Sequence, residues 1–252
     1  MALFIDPLII TTTIILVVSP KSVDSQFQKC PEFCKCTQLT KSVDCQGFFL
    51  RNIQNNNIPK STKNLYYVNN RLHTITKDDF ASLDSLEQLQ LHGNDIANIE
   101  DGSFQNLKSL KFLSLSSNKL KMITTDTFRG LSGLKILWMS NAHGGSSEGL
   151  TIMDGAFSDL QNLTTLNLGN NKIQCLTKDT FQGDGLRNLT NPIISFGKIG
   201  VIHEDTFDKF SPDIVIQNGG ENNFKYCLKT ATPSTQKTAP VISVTPTSVM
   251  QR

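Results

Sequence analysis

The sequence predicts an α/β solenoid, a chain wound into stacked coils with a curved, parallel β-sheet on its concave face and a disulfide-bonded cap at its N-terminal end. Three observations predict it. A hydrophobic pattern copies itself with a period of 24 residues, four cysteines crowd the stretch just before the first copy, and an apolar leader precedes the cysteines.

The leader comes first in the chain. Residues 8–18 form an apolar run too short for an ordinary membrane span, followed by compact residues with Val23 and Ser25 placed for cleavage before Gln26. This reads as a secretory signal peptide over residues 1–25, although Asp6 is present where a Lys or Arg is usual. A buried core segment is the alternative.

Residues 26–61 hold Cys30, Cys34, Cys36 and Cys45. Behind a signal peptide, paired cysteines are expected. A zinc site is the competing reading, but it usually offers two separated cysteine pairs. A cross-linked cap would cover the open apolar end of the first coil, as terminal repeats require.

Six coils are expected over residues 62–212. Leu86, Leu89, Leu91, Asn94, Ile96, Ile99, Phe104 and Leu107 recur 24 residues later as Leu110, Leu113, Leu115, Asn118, Leu120, Ile123, Phe128 and Leu131. This spacing is the mark of a leucine-rich repeat. The first coil is weaker (Thr62, Leu65, Tyr67, Asn70, Leu72), and the sixth, from Leu189 to Phe210, is degraded. The short L-x-L segment is a strand whose alternate residues face opposite ways. Its leucines contribute roughly 1.5–3 kcal/mol each when a neighbouring coil buries them. The Asn after each strand can satisfy backbone groups of adjoining coils, a role that suits Asn70, Asn94, Asn118 and Asn171. Ala142 and Gly197 interrupt that ladder, predicting distortion in coils four and six. Phe80, Phe104, Phe128, Phe157, Phe181 and Phe207 are expected to stack as a spine on the convex side. The fourth coil also carries an insertion of about five residues within 143–149, since Leu163 follows Leu134 by 29.

Beyond the coils, residues 213–227 read as a degenerate or truncated C-terminal cap with Cys227 as its one cysteine. Cys175 and Cys227 fall two coils apart, about 10 Å at sheet spacing. That exceeds the usual ~7 Å limit for a bridge, so no bond between them is expected. Residues 228–252 are rich in Thr, Ser and Pro and read as a disordered stalk. No stretch after residue 18 is apolar enough to span a membrane.

Cys30-Pro-x-x-Cys-x-Cys36, Val43-Asp-Cys45, Ile58-Pro59 and Leu65-Tyr-Tyr67-x-x-Asn70 together resemble the N-terminal cap and first repeat of extracellular leucine-rich repeat proteins. The likeness is to variable lymphocyte receptors, Slit-type guidance proteins and Toll-like receptor ectodomains, and it covers Cys30 to about Cys227. It implies bridges Cys30–Cys36 and Cys34–Cys45. It also implies a secreted, immune-type or guidance-type receptor that binds a protein or glycan ligand on the concave face. An extracellular matrix or scaffold protein is the alternative.

Nothing in the sequence suggests an enzyme, a cofactor or a metal site. The four histidines lack metal-ligand spacing, and the pairs Asp78–Asp79, Glu100–Asp101 and Glu204–Asp205 recur as a solvated stripe. Residues 144–147 lack the lysine a phosphate cradle needs. A net charge of +2 leaves no nucleic-acid footprint.

The outward strand positions are the candidate site. They are Asn64, Tyr66 and Val68; Gln88, Gln90 and His92; Phe112, Ser114 and Ser116; Ile136, Trp138 and Ser140; Thr165, Asn167 and Gly169. Tyr66, Gln88, Gln90, His92, Phe112, Ser114, Ile136, Trp138, Ser140 and Asn167 are the expected ligand-binding set. Trp138, the single tryptophan, is its centre, because contiguous exposed aromatics mark interaction sites and Trp is enriched among hot spots. The coil-four insertion is expected to shape one edge of the patch. A shifted register would instead turn Trp138 into the core. Asn162 and Asn188 head Asn-x-Thr sequons and are expected to carry glycans away from this face, unmodified surface asparagines being the alternative.

Overall fold

The computed structural model describes residues 30–53, 57–145, 147, 149–183, 185–193, 199–202 and 206. The expected signal peptide, the C-terminal cap with Cys227, the tail, Gly197, His203, the Glu204–Asp205 pair and Phe207 lie outside the described residues.

Strands β1 (Lys35–Thr37) and β2 (Ser42–Asp44) pair antiparallel as the cap hairpin. The coils then alternate between a concave and a convex strand. In chain order these are β3 (Asn64–Tyr66), β4 (Thr74–Ile75), β5 (Gln88–Gln90), β6 (Asn98–Ile99), β7 (Phe112–Ser114), β8 (Met122–Ile123), β9 (Ile136–Trp138), β10 (Thr151–Ile152), β11 (Thr165–Asn167), β12 (Ile173–Leu176), β13 (Asn191–Ile193) and β14 (Ile199–Ile202). A 3-10 helix spans Gly185–Asn188. The main sheet has the order β1-β2-β3-β5-β7-β9-β11-β13 and is parallel from β2 onward. Convex strands pair as β4–β6, β8–β10 and β12–β14.

The core is the repeat made physical. Leu65, Leu89, Leu113, Leu137 and Leu166 are the central residues of successive concave strands, and all are fully buried. On the convex side the five described phenylalanines are buried and stack in two runs. Phe80 stacks on Phe104 with ring centroids 5.8 Å apart, Phe128 on Phe157 at 6.0 Å, and Phe157 on Phe181 at 5.6 Å.

The asparagine ladder joins the coils. Asn94 Nδ2 donates to Tyr67 O at 2.8 Å and Leu91 O at 2.9 Å, while its Oδ1 accepts the Leu72 N–H at 3.1 Å. Asn118 does the same one coil on, donating to Leu91 O and Leu115 O and accepting from Ile96 N. At coil four the expected break occurs, and the backbone fills it: Leu120 N donates to the Ala142 carbonyl at 2.7 Å, where an Asn side chain would have accepted. Asn171 then takes the Ala142 N–H at 2.7 Å and donates to Met139 O at 2.6 Å.

Both cap bridges form as the family resemblance implied, Cys30–Cys36 with Cα atoms 5.8 Å apart and Cys34–Cys45 at 4.2 Å. Val43 and Cys45 seal the first coil and are fully buried. No bond between Cys175 and Cys227 is expected from the sequence, yet Cys175 is disulfide-bonded. The cap bridges consume the other four described cysteines, so its partner lies outside the described residues.

The acidic pairs are less uniformly solvated than expected. Asp79 is half-buried and Oδ2 accepts the Thr76 N–H at 2.6 Å. Burial holds its carboxyl above the usual carboxylate range, against the pull of the Thr76 hydrogen bond. Thr127 and Thr180 close the equivalent turns through Oγ1, accepting from Thr124 N and Thr177 N.

Candidate functional site

Register fixes the concave face as three columns. The first runs Ser42, Asn64, Gln88, Phe112, Ile136, Thr165, and the second Asp44, Tyr66, Gln90, Ser114, Trp138, Asn167. Because side chains alternate along a strand, the buried Leu137 and Met139 flanking Trp138 send it the other way. Trp138 is 44% exposed, so it belongs to the surface and not the core. Its ring meets Phe112 edge-on at 5.1 Å between centroids, an arrangement favoured by the ring quadrupoles. Ile136 stands beside Phe112 in the same column.

The indole leans from β9 across β7, and this changes one predicted member. Ser114, directly beside Trp138 in register, is only 3% exposed. It sits at an outward strand position next to the aromatic pair, yet it is covered rather than accessible. Tyr66, Gln88, Gln90, His92, Phe112, Ile136, Ser140 and Asn167 are partly exposed on this face.

The third column is shallower than expected. Val68 is 5% exposed, and Gly169 is buried as well. Here the strand ends, since the next residue of each coil takes a left-handed backbone: Asn69 (φ 53), Gly93 (φ 71), Ser117 (φ 51), Asn141 (φ 52) and Asn170 (φ 55). The recurring Asn or Gly just before the ladder position was the available signal, since these residues tolerate positive φ.

From β3 to β11 the three columns contain no Asp, Glu, Lys or Arg. Burial pushes the pKa of the His92 imidazole below its ordinary value, so this side chain too is neutral at pH 7. Charge sits on the flanks instead. Glu87 bridges Lys63 at 2.6 Å and Lys111 at 3.4 Å, and these two lysines hold its carboxyl below the usual range. Lys119 pairs with Asp95 at 2.6 Å on the other flank, again lowering the carboxylate.

The coil-four insertion leaves the sheet after Asn141 and wedges between the flanks of its neighbours. A Cβ on Gly144 would stand 2.5 Å from Asn118 O of coil three, and one on Gly149 2.3 Å from Lys172 O of coil five. Lys172 Nζ donates back to Ser147 O. His143 is 7% exposed and, among the described residues, its Nδ1 has no hydrogen-bond partner.

At the cap end lies a feature that periodicity could not reveal. Phe33, Cys34, Lys35, Asp44, Gln46 and Phe48 line a shallow depression of about 430 Å³. Phe33 and Phe48 are 55% and 51% exposed with ring centroids 6.1 Å apart. Asp44 Oδ2 accepts from Gln46 Nε2 at 2.9 Å. Asp44 continues the second concave column, and Lys35 pairs with it in register, so the depression opens on the concave side.

The sequon asparagines are exposed and lie off the three columns, Asn162 Nδ2 donating to Ser132 O at 2.8 Å and Asn188 Nδ2 to Gln161 O at 3.1 Å. Among the described residues, no group of three or more His, Cys, Asp and Glu could hold a metal ion, and no helix is long and apolar enough to cross a membrane.

Parts of the chain are similar to known proteins. A family model described as leucine rich repeat matches residues 85–143 and 147–191. The peroxidasin homolog pxn-2 of Caenorhabditis elegans is 40% identical over 62 residues, covering 25% of this chain and 4% of that protein. Among solved structures, the TLR13–ssRNA13 complex is 26% identical with a TM-score of 0.48, covering 70% of this chain and 27% of that one. The leucine-rich repeat domain of APL1B is 25% identical with a TM-score of 0.47, covering 55% and 40%. The chain thus spans well under half the length of each of these relatives.

Proposed function

The chain being a leucine-rich repeat solenoid with a disulfide-bonded N-terminal cap, we propose that it is a secreted recognition module that binds a protein or glycan ligand on its concave face, in the service of immune-type or guidance-type recognition. The fold is a binding scaffold, since stacked coils create an extended concave surface and supply no chemistry of their own. The observation that carries the reading is Trp138. A large aromatic ring, 44% exposed and braced by Phe112 with Ile136 beside it, forms an apolar centre on a surface whose other members are mostly polar and all uncharged. Keeping such a ring in water has no benefit for folding, whereas a central aromatic with a polar surround is the anatomy of a binding hot spot. Secretion is supported by the two cap bridges, which persist in oxidising compartments, and by the leader and sequons of the sequence.

The test is a screen of the full chain against arrays of extracellular proteins and of glycans, followed by the Trp138→Ala variant on whatever binds. The variant is expected to lose at least ~2 kcal/mol of binding, about 30-fold, with its thermal unfolding unchanged. Undiminished binding, or a large loss of stability, contradicts the reading.

A further inference from the structure

The concave face has aromatic surface at two places and hydrogen-bonding surface between them. One place is Trp138 with Phe112 on β9 and β7. The other is the cap depression, where Phe33 and Phe48 stand half-exposed above Asp44 of β2. Phe33 is held there in a left-handed backbone (φ 63), a conformation that bulky residues rarely take. The second concave column connects the two places without a gap, running Asp44, Tyr66, Gln90, Ser114, Trp138. Four strand steps separate its ends, roughly 19 Å at about 4.8 Å per step.

The interval is chemically uniform. Asn64, Tyr66, Gln88 and Gln90 are all partly exposed and neutral. Gln88 and Gln90 each carry both donors and an acceptor, while Asn64 Nδ2 already donates to Thr40 O and Ser42 Oγ and leaves its Oδ1 as an acceptor. Such a row matches a chain of peptide groups, which present the same donors and acceptors along their length. It offers no partner for a charged side chain, and an unpaired charge pressed onto it would lose hydration for nothing. The aromatic pairs at the two ends, Trp138 with Phe112 and Phe33 with Phe48 (the latter beside Lys35 and Asp44), call for large apolar side chains. An extended polypeptide rises about 3.3 Å per residue, so roughly 19 Å corresponds to about six residues.

Building on the concave-face reading above, we propose that this face holds an extended, uncharged polypeptide segment at two apolar anchor points, one on Trp138 and Phe112 and the other in the cap depression of Phe33 and Phe48, set about six residues apart in the ligand. The cap is then part of the binding surface as well as the seal on the first coil.

The experiment selects a displayed library of random 12-residue peptides on the full chain, and measures synthetic versions of the winners against wild type, Trp138→Ala and Phe48→Ala. Phe48 is half-exposed, and unfolding of each variant is checked in parallel. The expected winners carry two large apolar residues five to seven apart with neutral residues between. Each variant is expected to weaken them at least tenfold, and moving the two residues to a spacing of two or eleven to weaken them likewise. Winners that need Trp138 but ignore Phe48 and spacing overturn the two-anchor inference and leave the concave site standing. Failure of every peptide while an arrayed glycan binds through Trp138 has the same effect. Peptide binding that neither variant disturbs overturns the concave-face reading itself.

Discussion

Trp138 shows how far one residue can be read from its neighbours. Leu137 and Met139 fit inward positions, so strand alternation alone turned the indole outward, and the structure has it 44% exposed. What alternation could not give was the ring's lean, which depends on which side chains stand beside it on the next strand. Ser114, its register partner, is 3% exposed, so a residue predicted to be accessible is covered. The ladder asparagines were equally legible, because a polar residue repeated inside a hydrophobic period must have buried partners. Asn118 is 1% exposed and its Oδ1 takes the Ile96 N–H at 3.1 Å. Replacing it with Ala strands that donor at a cost of about 1–3 kcal/mol. Asn118→Ala is expected to lower the unfolding free energy by that amount in urea titration; a change under ~0.5 kcal/mol would mean the ladder does not join the coils energetically.

At the scale of the element, regular coils were visible in the sequence and irregular ones were not. The period located the concave strands from β3 to β11, since each needs the same inward leucines. It missed the cap depression, which depends on how a hairpin meets the first coil. It also failed at Cys175, where counting positions stood in for distance. The coil-four insertion was found by its length, but its anchoring needed the structure. Gly144 and Gly149 press against the backbone of coils three and five, whereas a Cβ on Gly145 would meet nothing within 4 Å. Gly145 and Gly149 both have positive φ, 77° and 80°, so the pair separates backbone strain from contact. Gly145→Ala is expected to cost about 1 kcal/mol through strain alone. Gly149→Ala is expected to cost at least twice that, because the Lys172 carbonyl blocks the new methyl group. Equal losses in thermal unfolding would show that the insertion is not wedged.

On the scale of the whole molecule, folding uses the inward face of the strands and the proposed recognition would use the outward one. The inward leucines and the phenylalanine spine hold coil to coil, and no coil could bury them alone. The outward residues are relieved of that duty, and from β3 to β11 they carry no charge, while Lys63, Glu87, Lys111, Asp95 and Lys119 pair off along the flanks. Under the proposed reading, a neutral floor between charged flanks would select ligands by shape and hydrogen bonding, with steering left to the rims. This division was legible in the repeat positions. The aromatic surface at both ends of the column was only half legible, since Phe33 and Phe48 lie outside the period.

The sequence contains one tryptophan, so the intrinsic fluorescence of the full chain reports on Trp138 alone. Its emission and its quenching by acrylamide can be followed while a peptide or glycan selected on the chain is titrated in. A solvent-accessible indole in the free protein, shifting to the blue and becoming shielded from acrylamide as the ligand saturates, is the predicted result. An emission maximum and quenching constant that stay fixed through saturation would place the ligand elsewhere on the solenoid and contradict the concave-face account.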